Sequence, residues 1–183
     1  MTQLASGRLA GTVRWAVVPY TPRPPFRLYA GRRHEPILID DADAIIAAAK
    51  REGGEAELTY LVPGKVRPVL LLSPPSAHHR EVTALRLLRL SRLGAEEREA
   101  VRHGKEELLV YLSPERFSLP EENAAMVSAL VRLHMDALES GPPLGALDKG
   151  EMRILGERII RFYGFDTRLL LEQYVRELAG RRP

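Results

Sequence analysis

KVRPVLLLSPP, residues 65–75, decides how this chain is read. Val69 to Leu72 are aliphatic, fit for the dry middle of a sheet, and Pro74 and Pro75 close the run because proline has no amide hydrogen for a ladder. Arg67 stands at the entrance of that strand, immediately before Pro68. The proline fixes its own φ and biases Arg67 towards extended backbone. Two readings of Arg67 stay open on these residues alone. It is a strand-end cation paired with an acid, or a cation aimed rigidly at a phosphate with little entropy to lose on binding.

Outward from this stretch, 183 residues suit one domain with an elaboration, and such a chain buries enough surface to need no metal or disulfide. The hydrophobic fraction of 45% and charged fraction of 28% are those of an ordinary soluble protein. Without cysteine, disulfide frameworks, thiolate catalysis and cysteine-ligated zinc are excluded. No apolar run has the length of a membrane span, and MTQLASGRLAG lacks the apolar core of a signal peptide. The expectation is a cytoplasmic protein with no membrane contact. The net charge is +3, yet 23 of the 27 basic residues are arginine. Arginine presents a planar fork suited to phosphate and stacks on bases. A compositional bias explains the same count, so arginine-richness permits nucleic-acid binding without showing it.

The pattern predicts strands first and helices last, an α+β chain. TVRWAVVPY (12–20) alternates with Val13, Trp15 and Val17 on one side, a strand pattern. FRLYA and PILID read as short strands around the basic loop GRRHE, and DDADAIIAAAKREGG (40–54) as a helix capped by Asp40 or Asp41 and stopped by Gly53. REVTALRLLRLSRL (80–93) fits helix or strand. GAEEREAVRHGK reads as a surface helix and EELLVYLSP as a buried strand. Over 118–140, the Ser118–Glu121 capping spacing and the stripe Met126, Ala129, Leu130, Leu133 predict a helix. Asp148 and Glu151 repeat the capping spacing before a stripe of Met152, Leu155, Ile159 and Phe162 that ends at Gly164; a final helix opens at Asp166.

Among chemistry-bearing groups, the adjacent His78 and His79 follow the Arg67 strand directly. Neighbouring histidines point different ways, so as metal ligands they need a third group from elsewhere. They read as a solvated loop, as a metal site or as a general base. No HExxH, GxSxG, Walker or dinucleotide motif is present, and each carboxylate has a cap or a solvated face to explain it. No metal and no cofactor is expected.

KVRPVLLLSP (65–74) resembles the signature of the PemK/MazF family of toxin–antitoxin ribonucleases, where an Arg-Pro pair precedes an aliphatic strand ending in Ser-Pro. PLGALDKGEMRILGERIIRFYGF (143–165) is similar to that family's C-terminal end: a Leu-Gly-x-Leu turn, an acidic-capped helix and a closing glycine. The resemblance covers roughly 57–165 and implies one domain over 1–183, with 20–54 as an insertion and 166–183 as a helical extension. The implied fold is an SH3-like β-barrel with a C-terminal helix, plus an inserted helix near the N-terminus and an extra terminal helix.

The implied activity is a growth-inhibiting, metal-independent endoribonuclease. It works as a homodimer on single-stranded RNA by 2′-hydroxyl attack, and a cognate antitoxin protein covers its groove. On this resemblance Arg67 stabilises the reacting phosphate, Ser91 positions it, and His78 or His79 is a possible base. Lys65, Arg86 and Arg89 are the nucleic-acid-binding candidates. The chain departs from the family in two places. LLRLS offers Ser91 without the family's preceding proline, leaving Thr83 as the weaker substitute. VSALVRL places Ser128 and Ala129 where an Asp-Gln pair belongs, with Arg132 as a candidate for the family's following arginine. The family also has a strand where the stripe over 120–139 suggests a helix, and the family's strand is the expectation taken for the fold. The departures favour the alternative, a catalytically degenerate barrel that binds nucleic acid or a protein partner without cleavage. An unrelated α+β domain with coincidental motifs is the third reading.

Overall fold

The structure is a computed structural model that describes residues 9–21, 26–29, 37–39, 42–51, 59–60, 62–75 and 80–164. In chain order come β1 (Thr12–Pro19), β2 (Phe26–Tyr29), β3 (Ile37–Ile39), α1 (Ala42–Arg51), β4 (Thr59–Tyr60), β5 (Gly64–Leu71) and β6 (Glu81–Arg89). Then follow α2 (Ala95–Arg102), β7 (Leu109–Leu112), α3 (Pro114–Phe117), β8 (Asn123–His134), β9 (Gly145–Ala146) and α4 (Lys149–Phe162). Short 3-10 turns extend β6 at Leu90–Arg92 and β8 at Met135–Ala137. The fold is α+β, and its residues group into two compact units, Met1–Ala16 with Arg67–Pro183, and Val17–Val66.

The Val17–Val66 unit contains the 20–54 segment. Its sheet has the order β3-β2-β4, with Arg27 facing Leu38 and Leu28 facing Tyr60 in antiparallel register. The helix read over 40–54 is α1, with Asp43 in its first turn and Lys50 and Arg51 in its last, as the helix dipole favours.

The larger unit is built on a curled antiparallel half-barrel sheet of order β7-β8-β6-β5-β1-β9. One sheet face, carrying Val13, Leu70, Leu85, Leu87, Ala125 and Val127, packs with Leu112, Phe117, Leu147 and Leu155 into a core. Met152 and Ile159 bring the apolar stripe of α4 against it. The short α3 follows β7 directly and leans on β9, thereby linking the two edge strands. Gly145 allows this approach, since a Cβ there would meet the Arg116 carbonyl oxygen and Phe117 Cδ1 at 2.8 Å. Arg116 Nη2 donates to the Ala146 carbonyl at 2.9 Å, and bonds of this guanidinium to Glu151 tie α3 to the start of α4. At the same end of β1, Gly11 takes a φ of +85°, which a side chain would disfavour. There its amide donates to the Leu71 carbonyl at 2.7 Å.

The capping box read at Asp148 and Glu151 is present in both halves, each backbone amide donating to the other's carboxylate at 2.8 Å. Other readings are corrected. The helical stripe over 118–140 is strand β8 for most of its length, as the family resemblance implies. Ala125, Val127 and Ala129 are buried with period 2, whereas Leu130, which a helix would bury, is 38% exposed. Two neighbouring strands impose the period here, because ladder pairing and packing override local propensity. Ser118 caps no helix N-terminus; it ends α3 in a left-handed conformation with φ 45°, and Ser113 caps α3 instead. The ambiguous 80–93 segment is strand β6 running into its 3-10 turn. In β1 the buried alternation is Arg14, Ala16 and Val18, while Val17 is exposed. The expected helix from Asp166, the loop GRRHE, His78 and His79 lie outside the described residues. Among the described residues, no helix is long and apolar enough to cross a membrane.

Candidate anion-binding face

Arg67 lies in β5, two residues before Val69, and Val69 faces Arg86 of β6 in antiparallel register. Facing residues of an antiparallel pair share a side of the sheet, and alternate residues of a strand return to it. Leu70 and Leu85 face each other within the Phe117 core. Arg67, Val69 and Arg86 therefore belong to the opposite face. Arg14 joins them, because its neighbour Val13 belongs to that same core. The arginines come from three strands that are adjacent in the sheet, β6, β5 and β1.

Their surroundings are apolar. Val69, Leu71, Val82 and Ala84 are essentially fully buried on this face, Arg14 is 8% exposed, and Arg67 and Arg86 are half-buried. Arg14 Nη1 donates to the Glu139 carbonyl at 3.3 Å and to the Gly141 carbonyl, in the segment running beside β1. Its Nε and that of Arg86 are buried without a hydrogen-bond partner. Arg67 is engaged within the fold by an interaction of its own. Among the described residues, no ion pair reaches Arg14 or Arg86.

Arg86 also falls at a break in the β6–β8 ladder. Leu85 faces Leu130, but Leu87, two residues on, faces Ala125, five residues back. The extra β8 residues, Ser128 and Ala129 among them, are accommodated opposite Arg86. Irregularities of this kind recur beside functional sites, where they re-aim side chains.

The other candidates separate from this face. Lys65 is exposed near the start of β5. Ser91 sits in the 3-10 turn after β6, where its hydroxyl donates to Glu121 Oε2 at 2.7 Å. Arg89 Nε pairs with the other oxygen of Glu121 at 3.1 Å. Both groups are thus committed to one carboxylate. Thr83 lies on β6, its amide donating to Ser73 Oγ at 3.0 Å. Arg132 faces Thr83, on the sheet side away from Arg86, and pairs with Glu81 at 3.6 Å.

Next to Glu121 a second carboxylate forms a separate clasp. Arg102 of α2 donates from Nε and Nη2 to Glu122 at 2.8 and 2.6 Å, and Tyr111 Oη of β7 donates to it at 2.9 Å. The Arg102 bonds, then the Tyr111 bond, hold the Glu122 carboxyl below the usual carboxylate range. Burial, then the bond to Glu122, pushes the Tyr111 phenol up. Among the described residues, no three or more His, Cys, Asp or Glu side chains converge as a metal ion would require.

Arg14 is the member of this face that sequence reading passed over. Its signal was available: it shares strand alternation with Ala16 and Val18, so an arginine stands in an otherwise apolar row. No protein-family model matches the chain, and no curated protein matches it. Fold and site together define an α+β half-barrel with a cationic patch on one sheet face.

Proposed function

We propose that this chain is a PemK/MazF-like protein that acts on single-stranded RNA in the cytoplasm, with the curled sheet as an SH3-like barrel and α4 as its C-terminal helix. The observation that carries this reading is the place of Arg67. It stands on a central strand, on one face with Arg14 and Arg86, whose buried Nε atoms have no partner. Carboxylate and phosphate are the groups that a guanidinium fork matches, and RNA carries a phosphate at every step.

In the cleavage reaction the 2′-hydroxyl oxygen attacks the adjacent phosphorus as the bond to the 5′ oxygen breaks. The products are a cyclic phosphate and a 5′-hydroxyl; the proton lost at the 2′ oxygen is balanced by the one gained at the 5′ oxygen. A pre-aimed Arg67 stabilises the charge growing on the phosphoryl oxygens, an effect worth about 3 kcal/mol, or a hundredfold or more in rate. In this reading two copies form the RNA groove and an antitoxin protein covers it.

The test is cleavage of mixed-sequence single-stranded RNA with and without a chelator. Cutting that survives chelation, yields cyclic phosphate ends and disappears in Arg67→Ala supports the nuclease. One observation favours a second reading, binding without cleavage: the Ser91 hydroxyl is held by Glu121. Intact RNA bound in a salt-sensitive, Arg67-dependent manner selects that reading. Absence of both cutting and binding overturns the proposal.

A further inference from the structure

We infer that Arg86 forms a second phosphate subsite, next to the phosphate that Arg67 holds, so that the sheet face grips at least two consecutive phosphates of one strand. The inference rests on the RNA reading above and gives one of its nucleic-acid-binding candidates a defined subsite.

Three observations converge on Arg86. First, its Nε is buried without a partner, and no ion pair among the described residues reaches it. A buried charged donor left without an acceptor is costly, more so than a neutral one. Yet this one stands in an aliphatic strand, between Leu85 and Leu87, where leucine or valine would pack without that penalty. Second, its neighbours on the same face are further cations. Arg14, fixed by the carbonyls of Glu139 and Gly141, is too buried to reach a ligand but adds a positive charge behind the surface. Arg14 and Arg86, which no ion pair among the described residues reaches, oppose one another as like charges in apolar surroundings. Third, the register break of β8 lies directly alongside Arg86, an irregularity of the kind that re-aims side chains beside functional sites.

Spacing sets the occupant. Arg86 faces Val69, so Arg67 is its diagonal neighbour, a relationship that separates the two residues by roughly 7–8 Å at the backbone. That is comparable with the step between successive phosphates of an extended single strand. Arg67 and Arg86 thus suit neighbouring phosphates, with Arg14 as a positioning charge.

The experiment compares wild type, Arg86→Met, Arg86→Lys and Arg67→Ala. Binding of a short single-stranded RNA is titrated across potassium chloride concentrations, and melting is followed with and without inorganic phosphate. Arg86→Met is expected to melt no lower than wild type in the absence of anions, because it removes a half-buried cation whose Nε has no partner and retains much of the volume. Its RNA affinity at low salt should fall about tenfold, and the slope of log affinity against log salt should shrink by about 0.7, the loss of one phosphate contact on a single strand. Arg86→Lys should retain most of the slope.

If Arg86→Met binds RNA with the wild-type slope and affinity, the subsite is overturned while the RNA reading stands. If it melts several degrees lower and keeps the wild-type slope, Arg86 is a packing residue and the subsite is again overturned. If wild type binds no RNA, yet inorganic phosphate raises its melting temperature and not that of Arg86→Met, the anion subsite is supported and the RNA reading fails. If neither RNA nor phosphate acts on the wild type, both fail.

Discussion

Val69 and Arg86 face each other across the β5–β6 ladder, so a fully buried valine and a guanidinium with an unpartnered Nε share one sheet face. Sheets normally sort such residues to opposite sides, one packed and one solvated. Here the far face of the Arg67 strand is also apolar, and the cations are set into it. An anion bound there would be held in low-dielectric surroundings, where charge–charge attraction is far stronger than in water.

Arg67→Ala is expected to lower RNA cleavage at least a hundredfold while melting close to wild type, since the residue is only half-buried and lies on the sheet face away from the Phe117 core. Arg67→Lys should recover only part of the rate, because an ammonium lacks the planar fork that contacts two phosphoryl oxygens at once. Single-turnover rates, read beside thermal melts, check both.

Glu121→Ala should raise RNA affinity severalfold at low salt. The carboxylate holds both Ser91 and Arg89, and its removal releases a hydroxyl and a cation while deleting a negative charge. Anisotropy titrations measure the change; an affinity at or below wild type would show that neither released group faces RNA.

Acid should loosen the Glu122 clasp. In the folded chain Arg102 and Tyr111 hold this carboxyl below the usual range, whereas unfolded it titrates near the ordinary glutamate value of about 4.3. Its contribution is therefore complete above that value and is lost as pH falls through the lower folded one. Glu151 behaves alike, its carboxyl held low chiefly by Arg116. Glu122→Gln should cost about 1 kcal/mol at neutral pH, the scale of a partly exposed pair, and should flatten the acid limb of the stability curve. Chemical denaturation from pH 7 to pH 3 measures both effects.

Gly145→Ala should destabilise the larger unit by about 1–3 kcal/mol. The new Cβ would press on Arg116 backbone and on Phe117, forcing α3 away from β9. At roughly 2–4 °C per kcal/mol for a chain of this size, a melting scan resolves the loss, and an unchanged melt would show that α3 yields easily.

Legibility in the sequence followed the range of the interaction. The Asp148–Glu151 capping box involves residues three apart and was readable as a spacing; both of its hydrogen bonds are present. The aliphatic run of β5 and the alternation of β1 were readable as strands for the same local reason. β8 was misread by its own periodicity, because the stripe at Met126, Ala129, Leu130 and Leu133 has helical spacing; the family resemblance supplied the strand that periodicity missed. Ser118 and Glu121 carry the spacing of a capping box and form none, since Glu121 is drawn to Ser91, thirty residues away.

By itself, then, the sequence determined the α+β class, the strand that carries Arg67, the capped helix α4 and Arg67 as the residue to question. Those depend on neighbours within a few positions, where propensity, capping and proline geometry act. Only the tertiary structure decided that Arg14, Arg67 and Arg86 share one face and that Ser91 is committed to a carboxylate. Strand order and register bring together residues up to 72 positions apart in the chain, and no local pattern encodes which strands become neighbours.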